Sequence, residues 1–142
     1  MTSPDLYHEG LLRLARSENR APRLARPDGQ ATLDNPLCGD QVTFEVEVRD
    51  GRIAALARRV RGCVLCEASA ALLGRAALGA SAGELAEARA CALAMLRGEA
   101  AAPGGAFQEL AFFTPAREVP SRHRCVLLPF EALEEAVAQA GR

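Results

Sequence analysis

Residues Gln41–Val48 read QVTFEVEV, and Arg49-Asp50-Gly51-Arg52 follows directly. Val42, Phe44, Val46 and Val48 alternate with Gln41, Thr43, Glu45 and Glu47, the two-residue period of a strand with one face buried. Asp-Gly is the turn pair of a tight hairpin, so a second strand, roughly 52–60, pairs back antiparallel. Just upstream, Ala31–Asp34 (ATLD) forms another short strand. A small antiparallel sheet therefore occupies the first half of the chain.

Outward from the sheet the pattern turns helical. Leu6, Leu11, Leu12 and Leu14 within LYHEGLLRLARS mark an apolar stripe, and Pro4 before it suits a helix start. Residues 20–30, RAPRLARPDGQ, contain two Pro and one Gly and read as a surface connection. Past Gly62, the run from Cys63 to Gly74 is rich in helix formers and free of turn signals. Ser81-Ala82-Gly83-Glu84 has the form of a capping box opening a helix to about Arg97. GEAAAPGGAFQ is a loop; Pro115 begins a third helical stretch ending near Cys125, and Pro129 opens the last, FEALEEAVAQA. The layout is α+β, a three-stranded antiparallel sheet packed against several helices, in a single domain spanning 1–142.

Composition bounds the function. With 142 residues, 49% of them hydrophobic, the chain can bury a real core. A net charge of −1 and a pI near 6.1 argue against nucleic acid or an anionic membrane as partner. No apolar run approaches the ~18 residues of a membrane span, and MTSPDLYHEG has acidic residues where a signal peptide carries basic ones. A cytoplasmic location is expected. All 17 basic side chains are Arg and none is Lys, which excludes a Schiff-base lysine and a P-loop lysine.

Five cysteines, Cys38, Cys63, Cys66, Cys91 and Cys125, are then the main chemical resource. In a reducing compartment they are thiols, metal ligands or redox groups rather than structural disulfides. Cys38 lies in the loop NPLCGD (35–40), Cys63 where the second strand hands over to a helix, and Cys125 near a helix end. If these three places converge, three thiolates and the Asp40 carboxylate offer four anionic ligands, the number a tetrahedral zinc or a cluster iron requires. Gly39 lets the backbone bend so that Cys38 and Asp40 face one ion. The spacing is uncommon for zinc, since only one C-x-x-C occurs, and each thiol taken singly also fits a small buried core side chain. Cys91, among Ala and Leu in mid-helix, reads as core filler; Cys66 reads as core or as a resolving thiol for Cys63. His8 reads as a surface residue and His123 as an exposed or capping one.

NPLCGD, GCVLCEAS (62–69) and RHRCVLLPFEAL (122–133) together resemble the three cysteine signatures of the U-type iron–sulfur scaffold family, which includes IscU, the amino-terminal domain of NifU, and SufU. LYHEGLLRLARSENR is similar to that family's first helix, so the resemblance covers nearly the whole chain. IscU proteins carry a His before the third cysteine and a Leu-Pro-Pro-Val-Lys motif upstream; here Arg124 precedes Cys125, and Val119-Pro120-Ser121-Arg122 stands upstream. The 62-residue step from Cys63 to Cys125, with its PGG loop, resembles the insertion that distinguishes SufU. The resemblance implies a Zn ion on Cys38, Asp40, Cys63 and Cys125. It also implies sulfur acceptance at Cys38 from a SufS-type cysteine desulfurase, and delivery to downstream Suf scaffold proteins. The alternative within the family is a scaffold that assembles and transfers a [2Fe–2S] cluster. Cys66 departs from the pattern, where a small residue, often Ser, is usual.

Overall fold

A computed structural model describes residues 8–16, 23–37 and 39–141. The elements in chain order are α1 (Glu9–Arg16), β1 (Gly29–Asn35), β2 (Asp40–Arg49), β3 (Arg52–Arg61), α2 (Val64–Ala76) and α3 (Ala82–Leu96). Two 3-10 helices follow, Gly105–Glu118 and Pro120–Arg122, and α4 (His123–Ala140) ends the described chain. Pro4 and the first turn of the expected stripe lie outside the described residues.

The strands form one antiparallel sheet in the order β1-β2-β3. The hairpin behaves as its Asp-Gly pair requires: Asp50 and Gly51 take φ of 53° and 74°, and Arg49 pairs with Arg52 across a two-residue loop. Val42, Phe44 and Val46 are fully buried beneath α4, which crosses β1 and β2. Helix and strand touch backbone to backbone at Gly29, where any side chain would collide with the Ala136 carbonyl. The opposite face is covered only in a patch, with Gln30, Thr32, Asp34, Arg59 and Arg61 exposed around it. Glu45 is buried where residues 23–24 lie over it, with the Leu24 amide (3.0 Å) and the Arg23 guanidinium (3.2 Å) both donating to its carboxylate. An alternating pattern thus marks a strand whose polar face is roofed in part by a connection.

α2 sits between α1 and α4. The Ser69 hydroxyl, fully buried in α2, donates to the Val126 carbonyl of α4 at 2.6 Å. The capping box is formed as its residue types demand. The Glu84 amide donates to Ser81 Oγ (3.2 Å), the Ser81 amide donates to Glu84 Oε1 (2.9 Å), and Arg52 adds 2.6 Å to the same carboxylate. Those bonds, the Ser81 amide first, lower the Glu84 pKa. Arg58 lies on the core-facing side of β3, opposite Phe44, with its guanidinium against Gly74 of α2. Burial, and then the Arg75 charge, push its pKa down to about 10.

The carboxy-terminal third differs from the expectation. Pro115 lies inside the 3-10 helix, and α4 starts at His123 and runs through Pro129 instead of beginning there. A proline inside a helix costs about 3 kcal/mol through its missing N–H and its clash with the preceding turn. Eight buried residues of α4, from Cys125 and Val126 to Leu133 and Ala136, offset that cost against the sheet and α2. Cys125 therefore lies at the start of a helix and not at the close of one.

Candidate metal centre

The connection from β1 to β2 is tight because each of its residue types serves the turn. The Asn35 side chain accepts from the Leu37 amide (3.2 Å), and its carbonyl accepts from the Gly39 amide (2.8 Å). Gly39 takes φ of 73° and hands the chain to Asp40, which pairs with Asn35 in the β1/β2 register. Pro36, Leu37 and Gly39 are exposed, Leu37 at 94%, whereas Asp40 is buried. Cys38 lies outside the described residues.

Cys63 is the N-cap of α2 and is half-buried. Its amide donates to Asp40 Oδ1 at 2.9 Å, so the carboxylate takes up one of the backbone donors that a helix start leaves without an intrahelical partner. Asp40 Oδ2 lies 4.0 Å from Cys63 Sγ. Cys125, fully buried in the first turn of α4, completes the cluster: the ligand atoms of Asp40, Cys63 and Cys125 all lie within 4.8 Å of one another. β2, α2 and α4 each contribute one ligand at a terminus, so three distant segments are fastened at one point.

These donors fit a metal. Two thiols and a carboxylate suit a borderline-soft divalent ion, and ligand atoms around a tetrahedral zinc stand roughly 3.6–3.8 Å apart, a small contraction from the spacing here. The flanks are polar: the Arg124 guanidinium bonds both oxygens of Glu131, at 2.5 and 2.6 Å.

Of the four ligands expected from the sequence, three converge. Cys66 is fully buried one turn along α2 and is not part of the cluster. Cys91 is half-buried on α3, not a core residue, because the buried face of its helix is made by Leu85, Ala88, Ala92, Met95 and Leu96. His8 is half-buried rather than a surface residue: its Nε2–H donates to the Phe112 carbonyl (2.7 Å), and the Leu11 amide donates to its Nδ1 (3.3 Å). His123, also half-buried, bonds the Ala116 carbonyl (2.9 Å) and holds the start of α4 to the 3-10 helix. Two residues near the cluster carry no ligand chemistry and so gave no sequence signal. Ser69 ties α2 to α4, and Gly62 lies against the Asp40 carboxylate.

No family model matches the chain. Among solved structures, the amino-terminal portion of a nitrogen-fixing NifU-like protein from Brucella abortus is 35% identical, with a TM-score of 0.90 over 96% of this chain and 94% of that one. The chain belongs to the U-type iron–sulfur cluster scaffold family. An IscU scaffold protein from Thermotoga maritima is 27% identical over 137 residues, 96% of each chain. A SUF-system scaffold protein from Fervidobacterium islandicum, 22% identical with a TM-score of 0.84, shares the U-type fold over 93% of this chain and 96% of that one. The expected α+β layout with a three-stranded antiparallel sheet is the layout of this chain, and the NifU-like structure shares its fold. Among the described residues, no helix is long and apolar enough to cross a membrane.

Proposed function

We propose that the protein works in iron–sulfur cluster assembly as a sulfur acceptor, with a zinc ion held by Cys38, Asp40, Cys63 and Cys125 and with Cys38 receiving sulfur from a cysteine desulfurase. The observation that carries this reading is the meeting of Asp40, Cys63 and Cys125, in a chain related to an IscU scaffold protein and a NifU-like protein. A bound divalent ion supplies the positive charge that holds thiol ligands as thiolates. Cys38 falls in the sequence between Leu37 and Gly39, both exposed, and loop positions of this kind carry the groups that partners meet, which supports its assignment as the acceptor. In the transfer, the Cys38 thiolate attacks the terminal sulfur of the desulfurase persulfide. The new S–S bond forms as the old one breaks, and the partner's cysteine leaves as a thiolate. Buried Cys125 and half-buried Cys63 hold the ion.

Arg124 before Cys125 and the segment Val119–Arg122 favour the SufU branch, and with it a SufS-type desulfurase and downstream Suf acceptors. The second reading, a scaffold carrying a [2Fe–2S] cluster, is favoured by the name of the Thermotoga relative. Metal analysis and visible absorption of protein purified without oxygen separate the two. One zinc per chain and no colour support the sulfur acceptor; a brown protein with about two irons and two sulfides supports the scaffold. Incubation with a SufS-type desulfurase and cysteine, followed by mass mapping, tests the acceptor: an adduct of about 32 Da belongs on Cys38. An adduct on Cys66 or Cys125 with Cys38 unmodified would sink the assignment.

A further inference from the structure

Glycines are required for two different reasons, backbone conformation and space. The described glycines with positive φ are Gly39, Gly51, Gly79, Gly98 and Gly105, and Gly62 is not among them. Its φ lies outside the left-handed region that calls for glycine, so a positive φ does not explain glycine at this position. Space does. A first side-chain carbon on residue 62 would stand 2.5 Å from Asp40 Oδ1, 3.0 Å from its Cγ and 3.2 Å from its Cβ. All three are atoms of one side chain, buried to 1% exposure and unable to swing into solvent without leaving the cluster.

The same carboxylate is fixed from the other side. Its Oδ1 accepts the Cys63 amide hydrogen at 2.9 Å, and this bond aims Oδ2 toward the sulfurs. One side chain thus caps α2 with one oxygen and faces the cluster with the other. An added carbon at 62 presses on the capping oxygen, so the carboxylate must rotate or withdraw, and both movements break the cap and re-aim the second oxygen together.

We propose that Gly62 is a positioning residue of the metal centre: the empty volume at residue 62 seats the Asp40 carboxylate, and so decides whether its oxygen reaches the ion. This rests on the metal centre put forward above. Gly62 offers no ligand atom to the ion and acts only through Asp40. Its removal must therefore have no effect once the Asp40 carboxylate is gone.

The experiment is a double-mutant cycle on the full reduced chain, read by zinc affinity in competition with a chromophoric chelator and by the visible absorption of the cobalt(II) form. Gly62→Ala lowers zinc affinity about tenfold, as removing a supporting contact around a metal ligand does, and moves the cobalt bands toward those of Asp40→Ala. In the Asp40→Ala background, where two of the three crowding atoms are absent, Gly62→Ala changes affinity by no more than about twofold. Gly62→Ala matching the wild type, or losing the same factor in both backgrounds, would overturn the proposal while leaving the metal centre standing. A wild-type chain that takes up neither zinc nor cobalt overturns the centre, and the role of Gly62 with it. Should Gly62→Ala fail to fold, the double variant decides: a folded double variant supports seating of the carboxylate, and an unfolded one shows that glycine serves the backbone and refutes it.

Discussion

At the scale of single residues, Asp40 does two separable things. Asp40→Asn keeps an oxygen for the Cys63 amide but loses the charge, so the metal-free protein should melt close to wild type while zinc affinity falls about tenfold. Asp40→Ala loses both, and the metal-free protein should also lose about 1 kcal/mol, because the Cys63 amide is left at a partly buried helix start. Thermal melts with and without zinc read the two contributions independently; equal melts of the metal-free variants would show that the cap is not formed in solution. Cys63 and Cys125 were open to inference because the chain offers only five Cys and two His, whereas Asp40 was singled out among 18 acidic residues by its place beside Cys38. The seat of Asp40 was not, since a glycine reports nothing about which atoms fill the volume it vacates.

Elements fix how those ligands meet. The link between α2 and α4 runs through Ser69, and Ser69→Ala should destabilise by about 1–2 kcal/mol, seen as a lower denaturant midpoint at unchanged slope. Arg58 acts in the opposite sense. Its pKa in the folded state, about 10, lies below the ordinary value of 12.5, so the unfolded chain binds more protons between those pH values and stability rises as pH climbs through that window. Below pH 10 the buried charge is a net cost. Arg58→Met keeps the stem and removes the charge, and should stabilise by roughly 1 kcal/mol at neutral pH once solvent screening is allowed for. The advantage should shrink above pH 10; an Arg58→Met protein less stable than wild type at pH 7 would show that the guanidinium has a compensating partner. The hairpin and the capping box were legible because local chemistry alone determines them. The start of α4 was not, because burial of its apolar face overrides the usual meaning of Pro129.

For the whole molecule, a proposed ion at Asp40, Cys63 and Cys125 joins β2, α2 and α4, so removing it should lower the melting temperature by several degrees. An unchanged melting temperature after chelation would mean that the cluster is held together by packing alone. The α+β architecture followed from periodicity, whereas the burial of Glu45 on the outer sheet face depended on residues 23–24, a segment with no period to read. The separation of the three ligands along the chain also governs the path by which the molecule forms. Asp40 and Cys63 are 23 positions apart, and Cys125 comes 62 positions later, so the grip on an ion closes only after α4 has docked. We expect the rate-limiting barrier to folding to be crossed before that grip exists. Zinc should leave the refolding limb of a chevron plot where it is and slow the unfolding limb, making the ion a brake on disassembly and not a nucleus for assembly.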